Sequence, residues 1–258
     1  MPDQKITLFW FRRDLRLADN AGLYHALRAN RNVLPVFIFD PEILGRLDNK
    51  TDARVCFIYK TLENLKQRLN ALGSDLLIFY GQPKSVFTEL CATFDVQAVY
   101  TNRDYEPYAI ARDREVKEWL GKREIPFHAF KDQVIFDEGE VVKDDGSPYT
   151  VFTPYSKRWK AKLNTFYTRS YPTAQYKGNY FAVKPVKMLP LEAIGFHQQD
   201  AAIRAPALQL PALQVYGETR DFPGIENGTT QLGIHFRFGT VSIREMVRLA
   251  LTYSETWL

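Results

Sequence analysis

The sequence predicts an α/β fold in which a doubly wound parallel sheet comes first and a second unit begins towards the carboxyl end. Three observations predict it. Strand-length runs rich in Val, Ile, Phe and Tyr recur at Ile6–Phe11, Val33–Phe39, Leu76–Tyr80 and Ala98–Thr101. Amphipathic helical stretches lie between them. Beyond about residue 130 the alternation stops. Runs that are apolar at nearly every position are strands buried on both faces, which a parallel sheet covered by helices requires.

The first strand, Ile6–Phe11, ends in a burst of charge: Arg12, Arg13, Asp14 and Arg16. Asp19 or Asn20 can cap the helix "AGLYHALRAN" that follows. The second strand runs to Phe39 and into Asp40. From Ala53 to Leu72, the residues Ile58, Leu62, Leu65, Leu69 and Leu72 share one helical face, and Gly73 ends it. Pro83 begins the helix "PKSVFTELCATF", and "PYAIARDREVKEWLGKRE" forms a fourth. Ligands of such sheets sit outside the carboxyl ends of the strands. That edge collects Arg12 to Arg16, Asp40, and Asn102 to Glu106. Charges in loops also serve simply as solvated groups or as salt bridges that fix turns, so both readings stand.

After residue 130 there is turn chemistry at Asp145-Gly146 and Ser147-Pro148, then a short basic helix, "SKRWKAKL". Prolines follow at 172, 185, 190, 206 and 211 with no clear period. Residues 1–130 are read as the α/β domain, 131–195 as a connector over the surface, and 196–258 as the start of a second unit.

Composition narrows the function. Of 258 residues, 45% are apolar and 25% charged, and the net charge of +4 is compatible with a polyanionic partner. Cys56 and Cys91 form no CxxC pair, so neither a zinc site nor a disulfide framework is expected. The amino terminus has no long apolar h-region, and no apolar run reaches membrane-spanning length. A cytoplasmic protein is expected. GxSxG, HExxH, GxxxxGK[ST] and a GxGxxG after the first strand are all absent, and the four histidines are scattered. No catalytic side chain and no metal ligand is assigned, so a bound cofactor is expected to bring its own chemistry.

The most unusual stretch is "VYGETRDFPGIENGTTQLGIHFRFGTVSIREM", residues 215–246. Gly228, Thr229, Thr230 and Gly233 cluster short polar side chains and free N–H groups of the kind that hold a phosphate. The alternative is a helix cap by Thr229 or Thr230.

Here the chain resembles a known family. "FWFRRDLRLADNAGL" is similar to the opening W-F-R-x-D-L-R-x-x-D-N segment of the DNA photolyase/cryptochrome family. "FIFDP", "NRDYEPYAIARDREV" and "YTVFTPYSKRW" follow in the family's order, and "YGETRDFP…GTTQLGIHFRFGTVSIRE" resembles its Y-x-x-x-R-D-x-P … T-S-x-L-S-x-x-L-x-x-G-x-x-S-x-R stretch. The resemblance extends from one end of the chain to the other.

It implies a five-stranded Rossmann-like sheet, a long connector and an all-helical FAD-binding domain. It also implies light-driven repair, in which reduced FAD passes an electron to a cyclobutane pyrimidine dimer flipped out of the duplex. A cryptochrome-type photoreceptor or a stand-alone chromophore-binding module are the alternatives. Residue by residue, Tyr216 matches a flavin-contacting tyrosine. Thr229, Thr230, Gln231, Leu232 and Gly233 match the turn that holds the FAD phosphates. Arg220 matches an arginine that contacts phosphate in UV-damaged DNA. Asp40, Asp104 and Glu106 are assigned to a second, antenna chromophore, while Arg13, Asp14 and Arg16 are read as locking the loops that shape its pocket. Ala109 stands where folate-binding members carry an acid, which favours a deazaflavin or flavin antenna, or none, over folate. Gly233 replaces the last serine of the phosphate turn. The chain stops at "SETWL", where the family's W-L-N-E-L-x-W-R-E-F segment begins. It is therefore read as a monomeric amino-terminal fragment with a truncated helical domain, binding FAD weakly and inactive alone.

Overall fold

The computed structural model describes residues 4–199, 210–222 and 224–253. Pro206 and the stretch "SETWL", on which the fragment expectation rests, lie outside the described residues.

Five strands form one parallel sheet: β1 (Ile6–Phe11), β2 (Val33–Phe39), β3 (Leu77–Tyr80), β4 (Val96–Asn102) and β5 (Phe127–Phe130), in the order β3-β2-β1-β4-β5. The crossover helices are α1 (Ala21–Ala29), the one-turn α2 (Pro41–Leu44), α3 (Ala53–Asn70), α4 (Pro83–Thr93) and α5 (Pro107–Gly121). Every residue of β1 and β2 is buried. Alternate residues serve opposite faces. Phe9, Phe11 and Phe37 pack with Leu23, Leu62 and Leu65 of α1 and α3. Leu8, Trp10 and Val36 pack with Phe87, Leu90 and Val116 of α4 and α5. Each such side chain contributes about 1.5–3 kcal/mol when fully buried.

Local chemistry sets the ends of the helices. Asn20, not Asp19, caps α1, accepting from the Leu23 N–H, while Asp52 caps α3 by accepting from Arg54. The fifth strand was not among the apolar runs read from sequence. It is four residues long, its residues are only partly buried and its second residue is His128, so neither apolarity nor alternation marks it.

The carboxyl half holds α6 (Phe152–Lys162), α7 (Thr165–Thr168), α8 (Leu210–Gln214), α9 (Tyr216–Thr219), α10 (Gly233–Phe238) and α11 (Ile243–Tyr253). Residues 131–195 do more than run over the surface. Tyr180 bridges to Val33, and the Phe181 N–H donates to the Val33 carbonyl at 2.9 Å. Phe181 completes one face of the core, while Leu191 and Ile194 complete the other. Single apolar anchors separated by prolines leave no period in the sequence, which is why the stretch reads as a loose strap.

Candidate functional site

The carboxyl edge of the sheet opens on a cavity of about 340 Å³. It lies where the strand order reverses, between the segments leaving β1 and β4, the usual crevice of a doubly wound sheet. Asp40, Asp104 and Glu106 all line it, with Trp10, Arg12, Arg13, Tyr108, Ala109 and Arg112. Two further residues, Arg237 and Phe238, reach it from α10.

Asp40 is buried, and both its oxygens are engaged. One accepts from the Glu42 N–H at 3.0 Å and so caps α2; the other accepts from the Tyr108 hydroxyl at 2.6 Å. Burial and that bond to Asp40 push the Tyr108 hydroxyl well above the usual phenol range. Glu106 sits at the mouth, where one carboxylate oxygen accepts from Arg237 at 3.0 Å and from Arg13 at 3.1 Å. Those two hydrogen bonds hold its carboxyl below the usual range. Asp104 pairs with Arg13 at 3.3 Å. The guanidinium groups of Arg12 and Arg112 lie 5.1 and 4.8 Å from the centroid of the Trp10 ring, and both reach the Asp113 carboxylate. Phe37, Phe39, Leu44 and Ile58 supply apolar wall. An apolar pocket with a few convergent polar groups suits a planar aromatic ligand.

The charge burst after β1 is mostly framework. Asp14 accepts from the Arg12 N–H at 2.7 Å and from the Asn102 side chain at 2.6 Å. Burial raises its carboxyl above the usual value, the more so with the Asp132 carboxylate nearby. Arg16 reaches the fully buried Asp132 at 2.8 Å, and so does Arg244 of α11. Burial alone would raise the Asp132 carboxyl, but these two cations hold it below the usual value.

A second cleft, of about 610 Å³, opens beside the α/β domain. Tyr216, Thr229, Thr230, Gln231, Leu232 and Gly233, assigned from one sequence motif, all line it. Gln133 to Phe136, Tyr155 and Trp159 form the facing wall, with Ile243 and Val247 of α11. The capping alternative for the threonines fails, because Leu232 occupies the cap of α10 and no side chain bonds there. Gln231 adopts a left-handed backbone, φ 53°, uncommon outside glycine. Capping leaves both threonine hydroxyls uncommitted. That fits a phosphate-bearing cofactor.

Arg220 lines neither cavity. It is half exposed, with its nearest carboxylate, Asp221, at 3.8 Å. α6 fully buries none of its residues, but Trp159 packs against Phe136 and turns that side of the helix to the cleft. Among the described residues no cluster of His, Cys, Asp and Glu could hold a metal, and no helix is long and apolar enough to cross a membrane. Sequence reasoning missed Tyr108 and Arg237. Tyr108 follows Pro107 in the first turn of α5, so extending the strand-end rule by one helical turn finds it. Arg237 is far along the chain and carries no such signal.

The described residues thus combine a doubly wound parallel sheet, a cavity at its carboxyl edge and a second cleft lined by Thr229–Gly233. The chain belongs to the DNA photolyase family, whose model matches residues 7–175. It is 32% identical over 258 residues to a deoxyribodipyrimidine photo-lyase of Synechococcus sp. PCC 6301, covering 94% of this chain and 53% of that protein. It is 35% identical over 248 residues to an uncharacterized 31.6 kDa protein of Synechococcus sp. PCC 6716, covering 92% of this chain and 86% of that protein. Among solved structures, a class III photolyase from Agrobacterium tumefaciens superposes with a TM-score of 0.80 at 22% identity, over 99% of this chain and 55% of that one, and shows the shared fold. A Sulfolobus tokodaii photolyase described with two FAD molecules superposes with a TM-score of 0.71 at 25% identity, over 98% and 56%. The chain thus spans about half the length of the photolyases it matches.

Proposed function

We propose that this chain is the chromophore-gathering and FAD-phosphate-binding part of a light-dependent lyase that repairs pyrimidine dimers in DNA. The observation that carries the proposal is the convergence of Tyr216 and Thr229–Gly233 on one cleft. In this reading the turn holds the FAD phosphates through its N–H groups and the threonine hydroxyls, and Tyr216 lies against the cofactor. Bound FAD supplies the light-driven electron that opens the dimer, which agrees with the lack of an acid–base constellation. Arg220, exposed beside the cleft residues in sequence, contacts DNA phosphate and positions the duplex without reading sequence. Asp40, Asp104 and Glu106 belong to the antenna pocket. There Asp40 acts mainly by holding Tyr108, and Glu106 by holding the arginines. The S. tokodaii relative's second FAD supports a flavin-type antenna here, and Ala109 in the pocket wall speaks against folate. In this reading residues 1–130 are the antenna domain, 131–195 the connector and 196–258 the start of the helical domain.

The same reading expects the 258-residue chain alone to bind FAD weakly and not to repair DNA. One observation favours a second reading, a stand-alone chromophore-binding module: the 31.6 kDa relative is matched over 86% of its length. Blue-light repair of a thymine-dimer oligonucleotide tests both, using the native protein isolated from cells and the 258-residue chain with added reduced FAD. Light-dependent loss of dimers with the native protein and none with the 258-residue chain is expected. No repair by the native protein despite bound FAD contradicts the lyase reading.

A further inference from the structure

Helix α10 touches both sites. Gly233 and Phe236 line the cleft, while Arg237 and Phe238 line the sheet-edge cavity. Its carboxyl end is fixed to the segment after β1. The Leu15 N–H donates to the Phe238 carbonyl at 3.0 Å, and Arg16 donates to the Gly239 carbonyl at 3.0 Å. Gly239 is left-handed, φ 62°, and a Cβ there would stand 2.3 Å from the Arg13 carbonyl oxygen, so the two backbones pack directly. Arg237 adds an ion pair to Glu106, which also holds Arg13. A helix of six residues has little stability of its own. Its order is set by what grips it, and order imposed at one end reduces the entropy lost when a ligand binds at the other.

We propose that Arg237 is a positioning residue for the cleft: held by Glu106 at the cavity mouth, it steadies α10 and thereby the Thr229–Gly233 turn, so that the two sites are coupled through this helix. The proposal rests on the reading of that turn as a phosphate site. The chain of contacts runs from Glu106 to Arg237 and along α10 to Gly233 at its first position, and neither Glu106 nor Arg237 lines the cleft. Coupling of this kind is reciprocal: phosphate bound at the turn steadies the cavity mouth.

The test is a titration of the isotope-labelled 258-residue chain with ADP, followed by amide NMR, for wild type, Arg237→Gln, Glu106→Gln and the double variant. Arg237 and Glu106 are half exposed, so the fold survives, and hydrogen exchange across residues 233–239 reports α10 directly without ligand. Each single variant is expected to weaken ADP binding about two- to fivefold, the range of one exposed ion pair, and to speed exchange in α10. The double variant is expected to lose no more than the singles. ADP is expected to shift the Glu106 amide in wild type but not in Arg237→Gln. ADP affinity unchanged in Arg237→Gln, additive losses in the double variant, or unaltered exchange in α10 each overturn the coupling while leaving the phosphate site intact. No ADP binding to wild type at the turn overturns the phosphate reading, and the coupling with it.

Discussion

The carboxylate of Asp132 lies 2.8 Å from the guanidinium of Arg244, and both side chains are buried. Asp132 follows β5 and Arg244 belongs to α11, which lines the cleft through Ile243 and Val247. Asp132 also takes Arg16, and one of its oxygens accepts from the Ala21 N–H at 3.0 Å. One carboxylate thus ties the sheet, the first helix and the cleft wall together.

Asp132→Ala leaves Arg16 and Arg244 without their shared anion in a buried place. Removing one partner of such a pair costs about 3–5 kcal/mol. The urea midpoint should fall accordingly, with the m-value unchanged. A change under about 1 kcal/mol would show that water replaces the carboxylate.

Acid should act on Asp14 and Asp132 in opposite directions. The Asp14 carboxyl is raised above 3.8 by burial. Its folded form takes up a proton more readily than its unfolded form, so its contribution is fully present below the unfolded value and is lost as pH rises through the folded one. The Asp132 carboxyl is lowered below 3.8 by Arg16 and Arg244 against its burial. Its contribution is present above the unfolded value and is lost as pH falls through the folded one. Urea midpoints measured between pH 7 and pH 2 should show Asp14→Asn missing the early gain on acidification and Asp132→Asn missing the late loss.

Thr230→Val keeps shape and burial but removes a hydroxyl from the phosphate turn. A hydrogen bond to a charged group contributes about 1.5–3 kcal/mol, so ADP binding should weaken about 10- to 100-fold with thermal stability retained. Equal affinity for the two proteins would remove the hydroxyl from the site.

Gly239→Ala forces a left-handed alanine, which alone costs about 1–2 kcal/mol, and drives a methyl into the Arg13 carbonyl. A melting temperature lower by several degrees is expected. An unchanged melting temperature would mean that the Arg13–Asp14 segment yields freely.

What was legible in the sequence follows what is local. Ile6–Phe11 and Val33–Phe39 announce themselves because burial on both faces leaves every position apolar. The Thr229–Gly233 turn is legible because its residues lie together in the chain. β5 was hidden because a short edge strand with partly buried residues needs no pattern. Asp40 was legible as a residue of the carboxyl edge, where it lines the cavity, but its bond to Tyr108 depends on where α5 sits. Glu106 was found and its partner Arg237 was not, since 131 positions separate them and only the folded chain joins them.

The central claim is that the Thr229–Gly233 cleft takes the phosphates of FAD. Its most direct measurement is the amide NMR map of the 258-residue chain on addition of ADP, with adenosine as the control that lacks phosphate. Saturable shifts centred on Thr229, Thr230, Gln231, Leu232 and Gly233 with ADP, and none there with adenosine, are expected. Shifts confined to the sheet-edge cavity, or the same map for both compounds, would contradict the claim.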